Sequence, residues 1–345
     1  MSKKVEPCQQ LGFETVSYEE WTPVVEKTSG LRIITRSGVV LGPWSDIRSS
    51  FYRSVRLYFE LMIITVTSLL IRGWKVLEVK DEGENVAFIH SVWSSGYYHW
   101  ITESLPRALE AKKKYDDLRI ILPRGAYNNY RESLELMQIC KIDSFPDGHN
   151  LLLKDPITTT CPKRFATTSS TVLKEVRDAI VKNVPVSQEY RQEILYVSRS
   201  QARGRKVLNE QELVEHLRTK FPINSVCFED LNFSEQVELM QQTKILISIH
   251  GAGLSNMLFM KEGSTVVELI PKKNFPFDYH FGRNSFGYDS SYLRLADALG
   301  HSYHYIECET DAKFFRRTEI ANIKVDANKL DDILGGFLWS KSSKD

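Results

Sequence analysis

The chain has 345 residues, 42% of them apolar and 26% charged, and a net charge of +1. That length accommodates two domains with ample core, and the near-neutral balance excludes the broadly basic surface of a nucleic-acid-binding protein. Five scattered cysteines, Cys8, Cys140, Cys161, Cys227 and Cys308, favour reduced thiols over a disulfide framework.

In chain order, apolar runs fall at Leu31 to Ile34, Leu61 to Ile71, Val86 to Ile89, Arg119 to Leu122 and Asn150 to Leu153. Helices are predicted near 99–114, 130–140 and 171–183. At 11 residues, Leu61 to Ile71 is short of the roughly 20 needed to cross a bilayer, so no integral membrane segment is expected. Val184-Pro185-Val186-Ser187 reads as the boundary between a first domain, 1–186, and a second, 187–310. The second half alternates strand 194–198, helix 209–219, strand 225–228, helix 234–242, strand 245–249, loop and helix 250–260, strand 265–270, helix 290–299 and strand 303–307. That alternation predicts a doubly wound parallel sheet. Asp326 then caps a last helix, 327–338, within a tail 311–345 expected to pack back on the first domain.

Three segments carry chemistry. In Gly96-Tyr97-Tyr98-His99-Trp100-Ile101-Thr102-Glu103-Ser104-Leu105-Pro106-Arg107, helical spacing places His99, Glu103 and Arg107 on one face. Pro106 removes the bond back to the Thr102 carbonyl, at a cost of about 3 kcal/mol that a merely structural helix avoids. A solvated histidine on a polar face competes with an active-site reading. The second segment is Ser198-Arg199-Ser200-Gln201-Ala202-Arg203-Gly204-Arg205-Lys206, four cations in eight residues at a strand's carboxyl end. Ligands of open parallel sheets bind at that edge, and arginine forks suit diphosphate oxygens. Beyond it, Asn209 and Glu212 resemble a capping box.

The third segment, His250-Gly251-Ala252-Gly253-Leu254-Ser255-Asn256, follows a β-branched run and opens a short helix. Its glycines lack the Cβ atoms that would hold a ligand off the backbone, and N–H groups from Leu254 to Met257 are expected to face an anion. A plain glycine turn is the competing reading. The dinucleotide fingerprint fails: its third glycine would fall at Asn256, and Glu268 comes too early for the ribose carboxylate. A mononucleotide or nucleotide-sugar diphosphate fits better.

Together and in this order, the Gly96–Arg107 segment, Tyr196-Val197-Ser198-Arg199 with Arg205 and Asn209-Glu210, and His250–Leu254 with Val267-Glu268-Leu269 resemble glycosyltransferase family 61. The resemblance covers residues 88–309. It implies an inverting transferase of α/β, GT-B type, two Rossmann-like domains facing each other across a cleft, with a nucleotide sugar as donor and no essential metal or other cofactor. No Asp-x-Asp occurs in the chain, so arginines and a helix N-terminus must offset the leaving-group charge. On this reading Glu103 is the first choice of general base and His99 the second, with Tyr97, Tyr98, Trp100 and Arg107 on the acceptor side. Arg199 and Arg205 clamp the diphosphate with Arg203 or Lys206 assisting, and the backbone of Gly251, Ala252, Gly253, Leu254 and Ser255 completes the anion site. His250 donates to a phosphate or the sugar, and Glu268 either accepts from ribose hydroxyls or caps a neighbouring loop. The family's donors include UDP-xylose, UDP-GlcNAc and UDP-arabinose. UDP-xylose on an oligosaccharide or glycoprotein glycan is the expected pair; the alternatives are a UDP-GlcNAc or UDP-arabinose transferase acting on a protein or polysaccharide, and a non-catalytic nucleotide-sugar or glycan-binding protein. With charge but no apolar run behind Met1, the chain reads as cytoplasmic; family members of the secretory pathway make the lumen the alternative.

Overall fold

The computed structural model describes residues 2–5, 16–34, 40–41, 75–80, 83–91, 93–123, 128–146, 149–162, 167–187, 193–202, 204–272, 291–311 and 321–339. The Leu61–Ile71 run, Cys8 and Arg203 lie outside them. The chain divides into two compact units, 1–4 with 17–184 and 5–16 with 185–345.

The first unit is built on a five-stranded sheet of β1 (Val25–Lys27), β2 (Asn85–Ala87), β3 (Leu118–Pro123), β4 (Lys141–Phe145) and β5 (Ile157–Thr159), ordered β1-β5-β2-β3-β4. β1 runs antiparallel to β5, and the other pairings are parallel. Helix α1 (Leu105–Lys114) connects β2 to β3, and α2 (Asn128–Leu136) connects β3 to β4. A second sheet, Val40–Leu41, Leu31–Ile34, Asn150–Lys154 and Val76–Glu78 in that order, shares its apolar face with the first. Leu151 and Leu153 from one sheet and Val86 and Ile121 from the other are buried in the same cluster. Helix α3 (Ser170–Val181) closes the unit, its first turn capped by the Ser169 hydroxyl accepting from Val172 N–H.

In the second unit the strands are β6 (Ile194–Ser198), β7 (Ile223–Cys227), β8 (Ile245–Ile249), β9 (Thr265–Pro271), β10 (Ser302–Thr310) and β11 (Ile323–Lys324), ordered β7-β6-β8-β9-β10-β11. All pair in parallel except β11, an antiparallel edge. β6 and β8 are buried along their whole length, the signature of a parallel strand covered on both faces. Helices α4 (Glu210–Arg218), α5 (Phe233–Gln242) and α6 (Ser291–Leu299) make the crossovers. The last helix, α7 (Ala327–Trp339), buries Leu330 and Leu334 in this unit's core beside Leu213 and Leu217 of α4. Asp331 of α7 reaches His216 at 2.7 Å and Lys220 at 2.5 Å, and Asp326 caps α7 by accepting from Asn328 N–H. Asn209 precedes α4 but does not cap it: its amide both donates to and accepts from the backbone of Val325. The capping box of this unit is Asn232 with Glu235, at the start of α5.

Candidate functional site

Each unit has its own switch point, the place where strand order reverses and helices leave on opposite sides. In the first unit the parallel strands, taken in chain order, run third, second, first, fourth. The reversal therefore lies between β2 and β5. Beyond β2, Ser91 N–H donates to Ser94 Oγ at 2.7 Å, and Ser94 Oγ lies 2.7 Å from Ser104 Oγ. This buried hydroxyl chain fastens the strand exit to the turn before α1.

That turn is not α-helical. Trp100–Ser104 forms a π-helix, with Leu105 N–H bonded to Trp100 O. The carbonyl that Pro106 cannot serve, that of Thr102, accepts instead from the Thr168 hydroxyl at 2.5 Å. Inside the turn Glu103 is buried, and its Oε1 sits 3.1 Å from His99 Nδ1; the side chains are 3% and 20% exposed. His99 is thus the open member of the pair and Glu103 the enclosed one. Tyr98 and Trp93 rings lie 5.3 and 5.9 Å from the imidazole.

Two residues expected on the acceptor side are placed otherwise. Trp100 is fully buried, stacked on Tyr130 at 4.2 Å and donating to Ser133 Oγ at 2.9 Å, so it supports the turn from behind. Arg107 is 4% exposed and turns inward to the end of β5, where Nε donates to Thr159 Oγ1 at 2.5 Å and Nη2 to Thr159 O at 3.3 Å. Tyr97 and Tyr98 are half-buried. A residue that sequence reasoning passed over, His90, lies at the strand exit: burial first, then the Arg107 cation, pushes its imidazole down to about 4. It is neutral at pH 7, and its Nδ1 is buried without a hydrogen-bond partner among the described residues. The Cys161 thiol is pushed up, by burial first and by Glu103 last, against the opposing pull of Arg107.

In the second unit the strand order is second, first, third, fourth, fifth, so the reversal lies between β6 and β8. The two motifs widely separated in sequence meet there. Arg199 follows β6 and His250-Gly251 follows β8. A Cβ on Gly251 would stand 2.6 Å from Arg199 Nη1, so the glycine makes room for the guanidinium; its backbone is merely extended, with φ 163° and ψ 171°. Gly253 packs against Phe228 and Val197, with room for ordinary contact. Arg205 Nη1 lies 3.5 Å from His250 O. Burial first, then Arg205, depresses the Arg199 guanidinium below its usual range, with Glu229 pulling the other way. Arg199 Nε and Ser255 Oγ are buried without hydrogen-bond partners among the described residues. Two converging arginines, one of them partly desolvated, form a site that an anion would relieve.

The helix after His250 is a 3₁₀-helix, Ala252–Phe259. Its i→i−3 ladder begins with Leu254 N–H on Gly251 O at 3.0 Å. The N–H groups outside the ladder are therefore those of Ala252 and Gly253, not the expected series from Leu254 to Met257. Glu268 does not face solvent. It is fully buried, with Oε1 2.5 Å from His250 Nδ1 and Oε2 accepting from the Tyr303 hydroxyl, so its partner is His250 and not a ribose. Glu210 organises the base of the basic loop by accepting from Tyr196 Oη at 2.9 Å and Ser198 Oγ at 2.8 Å. Its sequence signals are its position four residues after Lys206, at a helix start, and its place beside Asn209 in the family 61 resemblance.

Residues 97–267 match the profile of the family described as Glycosyltransferase 61. The matched segment begins at the tyrosines beside His99 and ends beside Glu268, taking in the strands of the second unit's switch point. This segment belongs to glycosyltransferase family 61. Among similar proteins, the human protein O-linked-mannose beta-1,4-N-acetylglucosaminyltransferase 2 is 42% identical over 90 residues, 26% of this chain and 15% of that protein. The Bos taurus protein of the same name is 39% identical over 124 residues, 35% of this chain and 19% of its own length. The Drosophila melanogaster EGF domain-specific O-linked N-acetylglucosamine transferase is 39% identical over 87 residues, 25% of this chain and 16% of that protein. The matches thus span less than a fifth of these relatives. No helix among the described residues is long and apolar enough to cross a membrane.

Proposed function

We propose that this chain is an inverting glycosyltransferase that holds a nucleotide-sugar diphosphate at the β6/β8 switch point and delivers the sugar to an acceptor hydroxyl beside His99 and Glu103. The observation that carries this reading is the convergence of Arg199, Arg205 and the Gly251–Gly253 backbone at one strand edge. A diphosphate supplies the charge that this edge lacks, and its oxygens match guanidinium forks. The GT-B arrangement of the two units is part of the proposal. So are Arg203 as a further phosphate contact and independence from metal.

The chemistry is a single displacement. The acceptor hydroxyl loses its proton to the dyad as its oxygen attacks the anomeric carbon, and the bond to the diphosphate breaks. On this reading His99, the more exposed of the two, meets the acceptor, and Glu103 orients it from within the π-turn. The relatives' names favour UDP-GlcNAc as the first donor to test; UDP-xylose, the donor expected from sequence, stands against it.

Calorimetry with UDP and turnover assays with both donors test the reading together. Arg199→Ala and Arg205→Ala each weaken UDP binding by about 1.5–3 kcal/mol, the scale of a charge-assisted hydrogen bond. His99→Ala and Glu103→Gln leave UDP affinity intact and lower kcat by roughly 10²–10⁴. Turnover survives EDTA. Affinity within twofold of wild type for both arginine variants, or activity lost to EDTA and restored by Mn²⁺, would sink the assignment.

A further inference from the structure

We propose that Glu268 and Tyr303 hold His250 as the third cation of the donor-phosphate site, where its imidazolium offsets the charge that builds on the leaving phosphate. The inference rests on the reading of that site as one for a nucleoside diphosphate, and adds a charged group and two positioning residues to it.

Glu268 lies in the middle of β9, in register with Ser248 of β8 and Tyr305 of β10, and is fully buried. A carboxylate in such a place costs several kcal/mol unless it is both paired and hydrogen-bonded. Both of its oxygens are engaged. The Tyr303 hydroxyl donates to Oε2, and His250 Nδ1 stands 2.5 Å from Oε1. With the Tyr303 hydroxyl donating to Oε2, an ionised Glu268 presents Oε1 as an acceptor to His250 Nδ1, which is then an N–H donor. The ionised carboxylate at hydrogen-bond distance in a dry setting favours the protonated imidazole.

Other groups lie near His250. The Arg205 guanidinium disfavours a second cation, but it reaches His250 at its carbonyl, 3.5 Å away. Arg199 lies against Gly251, one residue on. The Tyr292 ring of α6 meets the imidazole at 5.3 Å and 73°, a neutral contact. Of these groups Glu268, at 2.5 Å, lies nearest the ring. His250 itself is fixed: its N–H donates to Leu269 O at 2.9 Å, which sets the ring at the carboxyl end of β8, beside Gly251. In the displacement, the electron pair of the breaking anomeric C–O bond goes to the phosphate oxygen. The acceptor's proton goes to His99, and His250 keeps its own while hydrogen-bonding the phosphate.

Histidine-labelled full-length protein, titrated by NMR with His250→Gln to assign the signal, tests the charge without any ligand. His250 is expected to be protonated at pH 7, its midpoint to fall by about one pH unit or more in Glu268→Gln, and to fall less in Tyr303→Phe. UDP affinity, measured by calorimetry, is expected to drop across the same midpoint in wild type but to show no such inflection in His250→Gln. A His250 neutral at pH 7, or a midpoint unmoved in both variants, overturns the inference; Tyr303→Phe, which removes one hydroxyl, serves if Glu268→Gln does not fold. The expected titration without UDP binding overturns the phosphate-site reading instead, and the role of the cation with it.

Discussion

Arg205 holds φ at +57°, in the left-handed region. For a residue with a Cβ this conformation costs on the order of 1 kcal/mol and persists where the surroundings impose it. Here Gly204 precedes it, Lys206 N–H donates to Asn322 Oδ1 after it, and its guanidinium is carried to the β8 edge. The strain is the expected mark of a side chain placed for binding. Arg205→Gly therefore keeps or raises stability in urea unfolding, by up to about 1 kcal/mol, while losing as much UDP affinity as Arg205→Ala. A glycine variant less stable than wild type by more than that margin would show that the side chain maintains the loop. The cation cluster was readable from residues 199–206 alone, because charge density is a local property. Which cations converge was not, since Arg199 finds its place only against Gly251, 52 positions on.

At the scale of elements, the turn that presents Glu103 depends on a residue far along the chain. Pro106 withdraws one donor from the ladder, and the π-helix with the Thr168 hydroxyl repairs it. Thr168 is held by its bridge to Trp21 and by Ser169 N–H donating to Trp21 O at 2.8 Å. Thr168→Val keeps the shape and removes the donor, so it leaves a buried carbonyl short of a partner. Unfolding free energy should fall by about 1–3 kcal/mol, and kcat should fall more than UDP affinity as Glu103 loses its seat. Unchanged stability and turnover would mean that the π-helix holds by itself. Periodicity located a helix near 99–114 and Pro106 marked an irregularity within it; neither signalled a π-turn, whose extra residue is accommodated by tertiary partners. The same limit hid β5. Four residues between Pro156 and the Cys161-Pro162 pair are too few for a strand pattern, yet three of them make β5, one wall of the first switch point.

For the whole molecule, two compact units each with a parallel-sheet switch point imply that the donor acts on one of them. Hydrogen exchange with saturating UDP should slow amides at Ala252 and Gly253 and in the 199–206 loop, while leaving those around His90 and Glu103 unchanged. At about 100 times Kd the added stability is about 2.7 kcal/mol, and protection confined to the first unit would reverse the assignment of the two sites. The amino-acid sequence by itself determined the α/β class and the alternation of the second unit, where β6 and β8 lie at the residues predicted, since buried parallel strands are continuous β-branched runs. It also determined the three motifs and their family, because glycine turns, cation clusters and the His99–Glu103 spacing are features of a few consecutive residues. Tertiary structure alone decided which strands are neighbours, that Arg107 and Trp100 turn inward, that Asn209 serves Val325 and that Glu268 belongs to His250. Each of these turns on the desolvation of a polar group, and which partner a buried group finds depends on the strand order that brings distant segments together.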